Sequence, residues 1–134
     1  MSVGVIMLVH TAFDRAEQMV RHWVDGGCPV VVHVDAKVDQ ETYSQFAQSL
    51  SDLADVRFCK RHRCEWGGWG LVAASQTAAT QLLDSFPDVR HVYLASGACL
   101  PLRPVAELRE YLSANPDTDF IESVTTADVP WPVG

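Results

Sequence analysis

Val3-Gly4-Val5-Ile6-Met7-Leu8-Val9 is an unbroken apolar run, and Pro29-Val30-Val31-Val32-His33-Val34 is a second. Runs of this length with no polar alternation mark strands buried on both faces, the signature of a parallel sheet covered by helices. Between them Ala16, Met19, Val20, Trp23 and Val24 fall at helical spacing. Asp14 with Glu17 three residues on resembles a capping box, and Gly26-Gly27 supplies a stop. The same alternation continues outward. Tyr43, Phe46 and Leu50 mark a second helix, Val56 to Cys59 a short strand, and Leu71, Ser75, Ala78 and Leu82 a third helix face. His91 to Ser96 reads as a fourth strand, Pro104 as the first turn of a helix lined by Val105, Leu108 and Leu112, and Asp119 to Glu122 as a fifth strand. Strand and helix in strict succession predict one α/β domain over residues 1–134, with a mostly parallel sheet flanked by helices.

Composition removes whole classes of function. The chain has 134 residues, 48% of them hydrophobic, which is too apolar for a disordered segment. No run approaches the ~18 apolar residues of a membrane span, and Met1-Ser2 opens no secretory signal. The expected location is cytoplasmic, with membrane association left open. A net charge of −7 argues against nucleic acid, because cations cluster only once, at Lys60-Arg61-His62-Arg63. That run reads as a solvated turn or as a local anion site. The four cysteines, Cys28, Cys59, Cys64 and Cys99, form no CxxC pair. Structural zinc is therefore disfavoured, a reducing compartment is the default, and Cys59 and Cys99 read as small core hydrophobes on strands.

In open α/β sheets ligands sit beyond the carboxyl ends of the strands. Those ends carry His10-Thr11, Asp35, His62 to Trp69, and Ser96 to Arg103. Strand one leads into neither G-x-G-x-x-G nor a P-loop, which disfavours dinucleotide binding and P-loop phosphoryl transfer. Asp35 can accept hydrogen bonds from a sugar hydroxyl or a base N–H, or can simply form a turn. His33 lies inside its strand and reads as a satisfied core residue, while His10 is the better ligand candidate. Ser96-Gly97-Ala98-Cys99-Leu100-Pro101 is a turn whose N–H groups could cradle a ligand. Trp66 and Trp69 could stack on a ring or pack the loop.

Four segments together resemble one family. They are His33-Val34-Asp35-Ala36-Lys37, Glu65-Trp66-Gly67-Gly68-Trp69-Gly70, Tyr93-Leu94-Ala95-Ser96-Gly97-Ala98-Cys99-Leu100-Pro101-Leu102-Arg103, and Phe120-Ile121-Glu122. Their order is similar to that in the core-2/I-branching β-1,6-N-acetylglucosaminyltransferases, whose family includes the peptide O-xylosyltransferases. The resemblance implies a GT-A-type nucleotide-sugar-binding fold, of which this chain is the donor-binding, amino-terminal half. It implies inverting transfer of a GlcNAc- or xylose-type sugar from a UDP-sugar to a glycan hydroxyl or a Ser/Thr hydroxyl, with no cofactor and no metal. By the same resemblance His10, Thr11 and Asp35 face the uridine. Trp66 and Gly67 lie beside the donor, Ser96, Gly97, Cys99 and Pro101 complete its site, and Glu122 meets the acceptor sugar. One position departs from the family pattern Ser-Gly-x-Asp-x-Pro-Leu, because Cys99 stands where Asp is usual.

The family's general base and the cations that stabilise leaving diphosphate belong to a later half, so the base is expected beyond Gly134. The tail Val129-Pro130-Trp131-Pro132-Val133-Gly134 reads as a cut through a longer protein. Self-association through an open sheet edge is then expected. Two other classes compete: a non-catalytic glycosyltransferase-like interaction module, favoured by Cys99, and a flavodoxin-like or receiver-type domain, which lacks its acidic pocket after strand one.

Overall fold

The computed structural model describes residues 2–121, 125, 127 and 128. It is an α/β structure built as β1 (Val3–Val9), α1 (Phe13–Asp25), β2 (Val30–Val34), α2 (Gln40–Ser49), β3 (Val56–Phe58), α3 (Trp69–Ser85), β4 (His91–Ser96) and α4 (Val105–Ser113). The four strands form one sheet in the order β3-β2-β1-β4, and every pair is parallel. The two apolar runs quoted first are the central strands. All of β2 is buried, and all of β1 except half-buried Leu8.

Alternate residues of these strands feed two cores. Val5, Met7, Val9, Val30, Val32 and Val34 pack under α1, α2 and α4, with Val20, Trp23, Phe46 and Leu112. Ile6 and Val31 face the other way, toward Ala78, Leu82 and Phe86 of the α3 side. Helix α3 comes close to the sheet at Gly4, where a Cβ would lie 2.7 Å from a Leu82 methyl. Chain order explains the division. The links β1-α1-β2 and β2-α2-β3 step outward in one direction, and β3-α3-β4 then crosses back to the far side of β1.

Local signals set two of the helix ends. Asp39 caps α2 by accepting from the Thr42 N–H at 3.0 Å. Gly27, at φ 87°, closes α1 in the left-handed region that glycine favours. The expected capping box does not form. Helix α1 starts at Phe13, its N-cap is Ala12 at φ 50°, and no side chain caps it. The chain leaves β1 through that left-handed residue, so Asp14 already sits inside the first turn, where its charge favours the helix dipole. Pro104 is the N-cap of α4 and lies just outside its first turn.

The expected fifth strand is also corrected. Asp119, Phe120 and Ile121 have no strand assignment, and Glu122 lies outside the described residues. After α4 the backbone is tied to β4 through a side chain, with a ring nitrogen of His91 3.1 Å from the Thr118 carbonyl. Phe120 leans on the rings of His91 and Tyr111 and pairs with no strand. Among the described residues β4 is thus an edge, and Val92, Tyr93 and Leu94 on it are exposed. No described helix is long and apolar enough to cross a membrane.

Gly70 gives a sharp test of this packing. A Cβ there would stand 2.0 Å from the carbonyl oxygen of Arg63, which is backbone and cannot swing aside. Helix propensity favours alanine over glycine by about 1 kcal/mol, but overpacking against backbone typically costs ~1–3 kcal/mol or more. Gly70→Ala is therefore expected to lower stability in urea denaturation. An unchanged or raised midpoint would show that the Arg63–Gly70 approach is not as described.

Candidate functional site

The strand order reverses between β1 and β4, so the carboxyl ends of these strands open the crevice where α/β sheets hold ligands. His10 and Thr11 leave β1 there, and the β4 end faces them. The Gly97 N–H donates to Leu8 O at 3.3 Å. A Cβ on Gly97 would come within 3.1 Å of Val9 and 3.2 Å of Ala16, so glycine lets the turn lie against the start of α1. The turn itself is closed by the Cys99 N–H donating to Ser96 O and by the Ala98 N–H donating to Ser96 Oγ.

Beside it, at the end of β2, lies a cleft of about 470 Å3 lined by His10, Phe13, Asp35, Lys37, Val38, Asp39 and Thr42. Asp35 is its chemical centre. Only 5% of the residue is exposed, yet it carries a carboxylate. Its Oδ1 accepts from the N–H groups of Lys37 at 2.9 Å and Cys64 at 3.3 Å. The Lys37 ammonium stands 3.7 Å from Oδ2. Burial alone pushes this carboxyl up, but the two N–H donors and the ammonium outweigh it and hold the pKa below the usual carboxylate value. Asp35 is therefore an ionised acceptor whose Oδ2, among the described residues, meets no backbone N–H and pairs with the Lys37 ammonium at 3.7 Å. Lys37 also reaches Glu65 at 3.8 Å, linking the cleft to the turn Glu65–Gly68. That turn carries Gly67 at φ 72° and holds Trp66 98% exposed.

The structure thus brings His10 and Asp35 into one cleft, with Trp66-Gly67 joined to it through Lys37 and Ser96-Gly97 at the adjoining strand end. Thr11 is exposed on the same loop without lining the cleft. Pro101 lines a different groove of about 570 Å3, with Trp23, Tyr93 and Tyr111. That groove is larger but apolar, and its Arg103 and Glu107 neutralise each other at 2.7 Å. Cys99 is exposed at its turn and is not the core strand residue expected, because β4 ends at Ser96. Cys59 does behave as a core thiol, pushed by burial up to about 11.

Sequence reasoning missed the residues that hold the cleft together. The run Lys60-Arg61-His62-Arg63 is not a cluster of free cations. Arg61 donates to the carbonyls of Val34, Asp35 and Val38. His62 bonds Thr77 Oγ1 on α3 at 2.8 Å, and Arg63 pairs with Glu65. His33, only 1% exposed, accepts from the His62 N–H at 2.8 Å through Nε2, and the two rings stack at 5.8 Å. It is the satisfied core histidine expected, now with an identified partner.

The profile of the Core-2/I-Branching enzyme family matches residues 9–129. The chain belongs to that family. Core-2/I-branching enzymes are glycosyltransferases, and the parallel sheet with helices on both faces is consistent with a GT-A-like fold. No curated protein matches the chain. As a Core-2/I-branching chain it keeps its polar groups at the carboxyl ends of β1, β2 and β4, where the family's fold class places its ligands.

His33 makes this end of the sheet sensitive to pH. Burial first, and then the neighbouring His62, depress its pKa below 6.5, while Asp35 pulls the other way and Arg61 adds to the depression. The folded state thus binds the proton less readily than the unfolded chain. The stabilisation is complete above pH 6.5 and is lost as pH falls toward the folded-state value. Urea midpoints are expected to drop between pH 7 and pH 5.5, no more steeply than the ~1.4 kcal/mol per pH unit of one proton. His33→Gln, which can still accept from His62, should flatten that slope. An equal slope in the variant would assign the titration elsewhere.

Proposed function

We propose that the Asp35 cleft binds the nucleoside of a UDP-sugar, and that the chain is the donor-binding half of an inverting glycosyltransferase. The observation that carries this reading is the buried, ionised Asp35, whose Oδ2 takes no backbone donor and faces the cleft's Lys37, beside His10 at a sheet switch point. A carboxylate held this way suits a uracil N–H or a ribose hydroxyl, both donors. Thr11, exposed on the loop after β1, is read as a further contact to the donor. Trp66, exposed on a glycine turn, can stack on a ring, and Ser96, Gly97, Cys99 and Pro101 continue the donor site along the β4 turn.

The transfer is a single in-line displacement at the anomeric carbon. A base removes the proton of a glycan or Ser/Thr hydroxyl, the new C–O bond forms, and the old one breaks with its electron pair leaving on UDP. The sugar is of GlcNAc or xylose type. In this reading the base and the cations for the diphosphate lie beyond Gly134, Glu122 meets the acceptor, and no metal or other cofactor takes part. The Ser96–Cys99 turn carries no carboxylate pair, which supports the metal-free form. A cytoplasmic location belongs to the same proposal, and the core thiols Cys28 and Cys59 suit a reducing compartment.

One observation favours a second reading, a non-catalytic interaction module. Cys99 stands at the position of the family Asp, and a thiol cannot serve as a fixed carboxylate acceptor.

Calorimetric titration of the chain with UDP, UDP-GlcNAc and UDP-xylose, with and without Mg2+, separates these. Binding without a Mg2+ requirement is expected. Asp35→Asn should weaken it about tenfold or more, the scale of one hydrogen bond to a charged group. A folded chain that binds no UDP compound would remove the donor-site reading. Binding strictly dependent on Mg2+ would remove its metal-free form. A further check is Trp66→Phe. Trp66 should account for most of any fluorescence change on UDP addition, and an undiminished change in the variant would exclude stacking there.

A further inference from the structure

Asp35 projects from the first residue after β2, and the chain turns at once through Ala36 and Lys37 to Val38. A strand-end carboxylate aims at a ligand only if that turn is held, because its own backbone leaves the sheet there. From the β1 side one bond holds it, the Asp35 N–H to Val9 O at 2.9 Å. Within the turn the Val38 N–H donates to Asp35 O at 3.0 Å and the Lys37 N–H to Asp35 Oδ1 at 2.9 Å, and further restraint comes from the segment after β3. The Ala36 N–H donates to His62 O at 3.0 Å, and the Cys64 N–H reaches the carboxylate itself.

At the middle of this segment stands Arg61. Its Nη2 donates to Asp35 O at 3.0 Å and to Val38 O, and its Nε donates to Val34 O at 3.4 Å. The guanidinium lies over the Tyr43 ring of α2, 4.3 Å from its centroid. Three carbonyls from one five-residue turn thus converge on one planar cation whose tilt is fixed by an aromatic face. A lysine ammonium has neither the fork to span them nor the plane to stack. Two of the carbonyls, those of Asp35 and Val38, belong to residues that line the cleft.

The geometry points to Arg61 as the positioning residue of the cleft: by gathering the Val34, Asp35 and Val38 carbonyls under Tyr43 it fixes the turn from which the Asp35 carboxylate meets its ligand. Arg61 does not touch the ligand and does not bind phosphate. It acts through Asp35. The functional consequence rests on the donor-site reading, whereas the placement of Asp35 does not.

The test therefore needs two readouts on the full chain. The first is ligand-independent: the titration of the Asp35 carboxyl followed by 13C NMR in the wild type, Arg61→Met and Arg61→Lys. Loosening the turn weakens the Lys37 and Cys64 N–H donors, so the midpoint should rise toward the usual carboxylate value in Arg61→Met, with at most partial rescue in Arg61→Lys. The second is UDP affinity in a double-mutant cycle. Arg61→Met should weaken binding about tenfold in the wild-type background, the scale of one charged hydrogen bond, and have almost no further effect in Asp35→Asn. A merely structural arginine would lower stability, leave the Asp35 midpoint in place and act additively with Asp35→Asn. An unmoved midpoint in a folded variant overturns the proposal. If Arg61→Met does not fold, an unmoved midpoint in folded Arg61→Gln overturns it equally. If the midpoint moves but the wild type binds no UDP, the positioning role stands and the donor-site reading falls.

Discussion

A carboxylate is buried at the end of β2, and the surrounding chain is arranged to keep it charged. Burying an ion costs several kcal/mol unless donors replace the lost water. Asp35 recovers that cost from two backbone N–H groups and one ammonium. One of those N–H groups, that of Cys64, lies 29 positions away in sequence, so full compensation of the buried charge requires β3 and the segment after it to be seated against β2. The cleft is in this sense a product of the whole sheet edge.

That seating depends on the opposite face. The segment 59–64 is fixed to β2 by Cys59 N–H to Val32 O, by His62 N–H to His33, and by Arg61 to the turn. It is fixed to α3 by His62 to Thr77. Helix α3 can stand close enough to offer Thr77 because Gly4 clears room for Leu82 and Gly70 clears room for the Arg63 carbonyl. Small residues under one helix and a charged site at a strand end are thus linked through two histidines. His33 serves here as a neutral acceptor, which is why burial that disfavours its charged form also suits its role.

Much of this was legible in the sequence. The strands at Val3–Val9 and His91–Ser96 have the bounds their apolar pattern indicates, and the segments resembling core-2/I-branching enzymes led to the family that the comparison shows. The errors share a cause. Asp14 looked like a cap because its spacing to Glu17 is right, but the left-handed Ala12 starts the helix earlier. Phe120-Ile121 looked like a strand because it is apolar, but the Phe120 ring packs at a tilt on His91 and Tyr111 beside the β4 edge. Cys99 looked like core as a small residue on a strand, but β4 ends at Ser96 and Cys99 sits at an exposed turn. Each is a local pattern overruled by where a neighbouring segment happened to lie.

By itself the sequence determined the alternation of strands and helices, the parallel sheet and the positions of polar residues at strand ends. These follow from apolar periodicity and chain direction, which are local properties. Only the tertiary structure decided that β4 joins β1 on the side away from β2, which creates the crevice between their ends. It alone turned Arg61 from one cation in a basic run into the clasp of the Asp35 turn, and gave His33 its partner. Those outcomes rest on contacts between residues 26 and 29 positions apart, and no periodicity within either segment encodes which of them will meet.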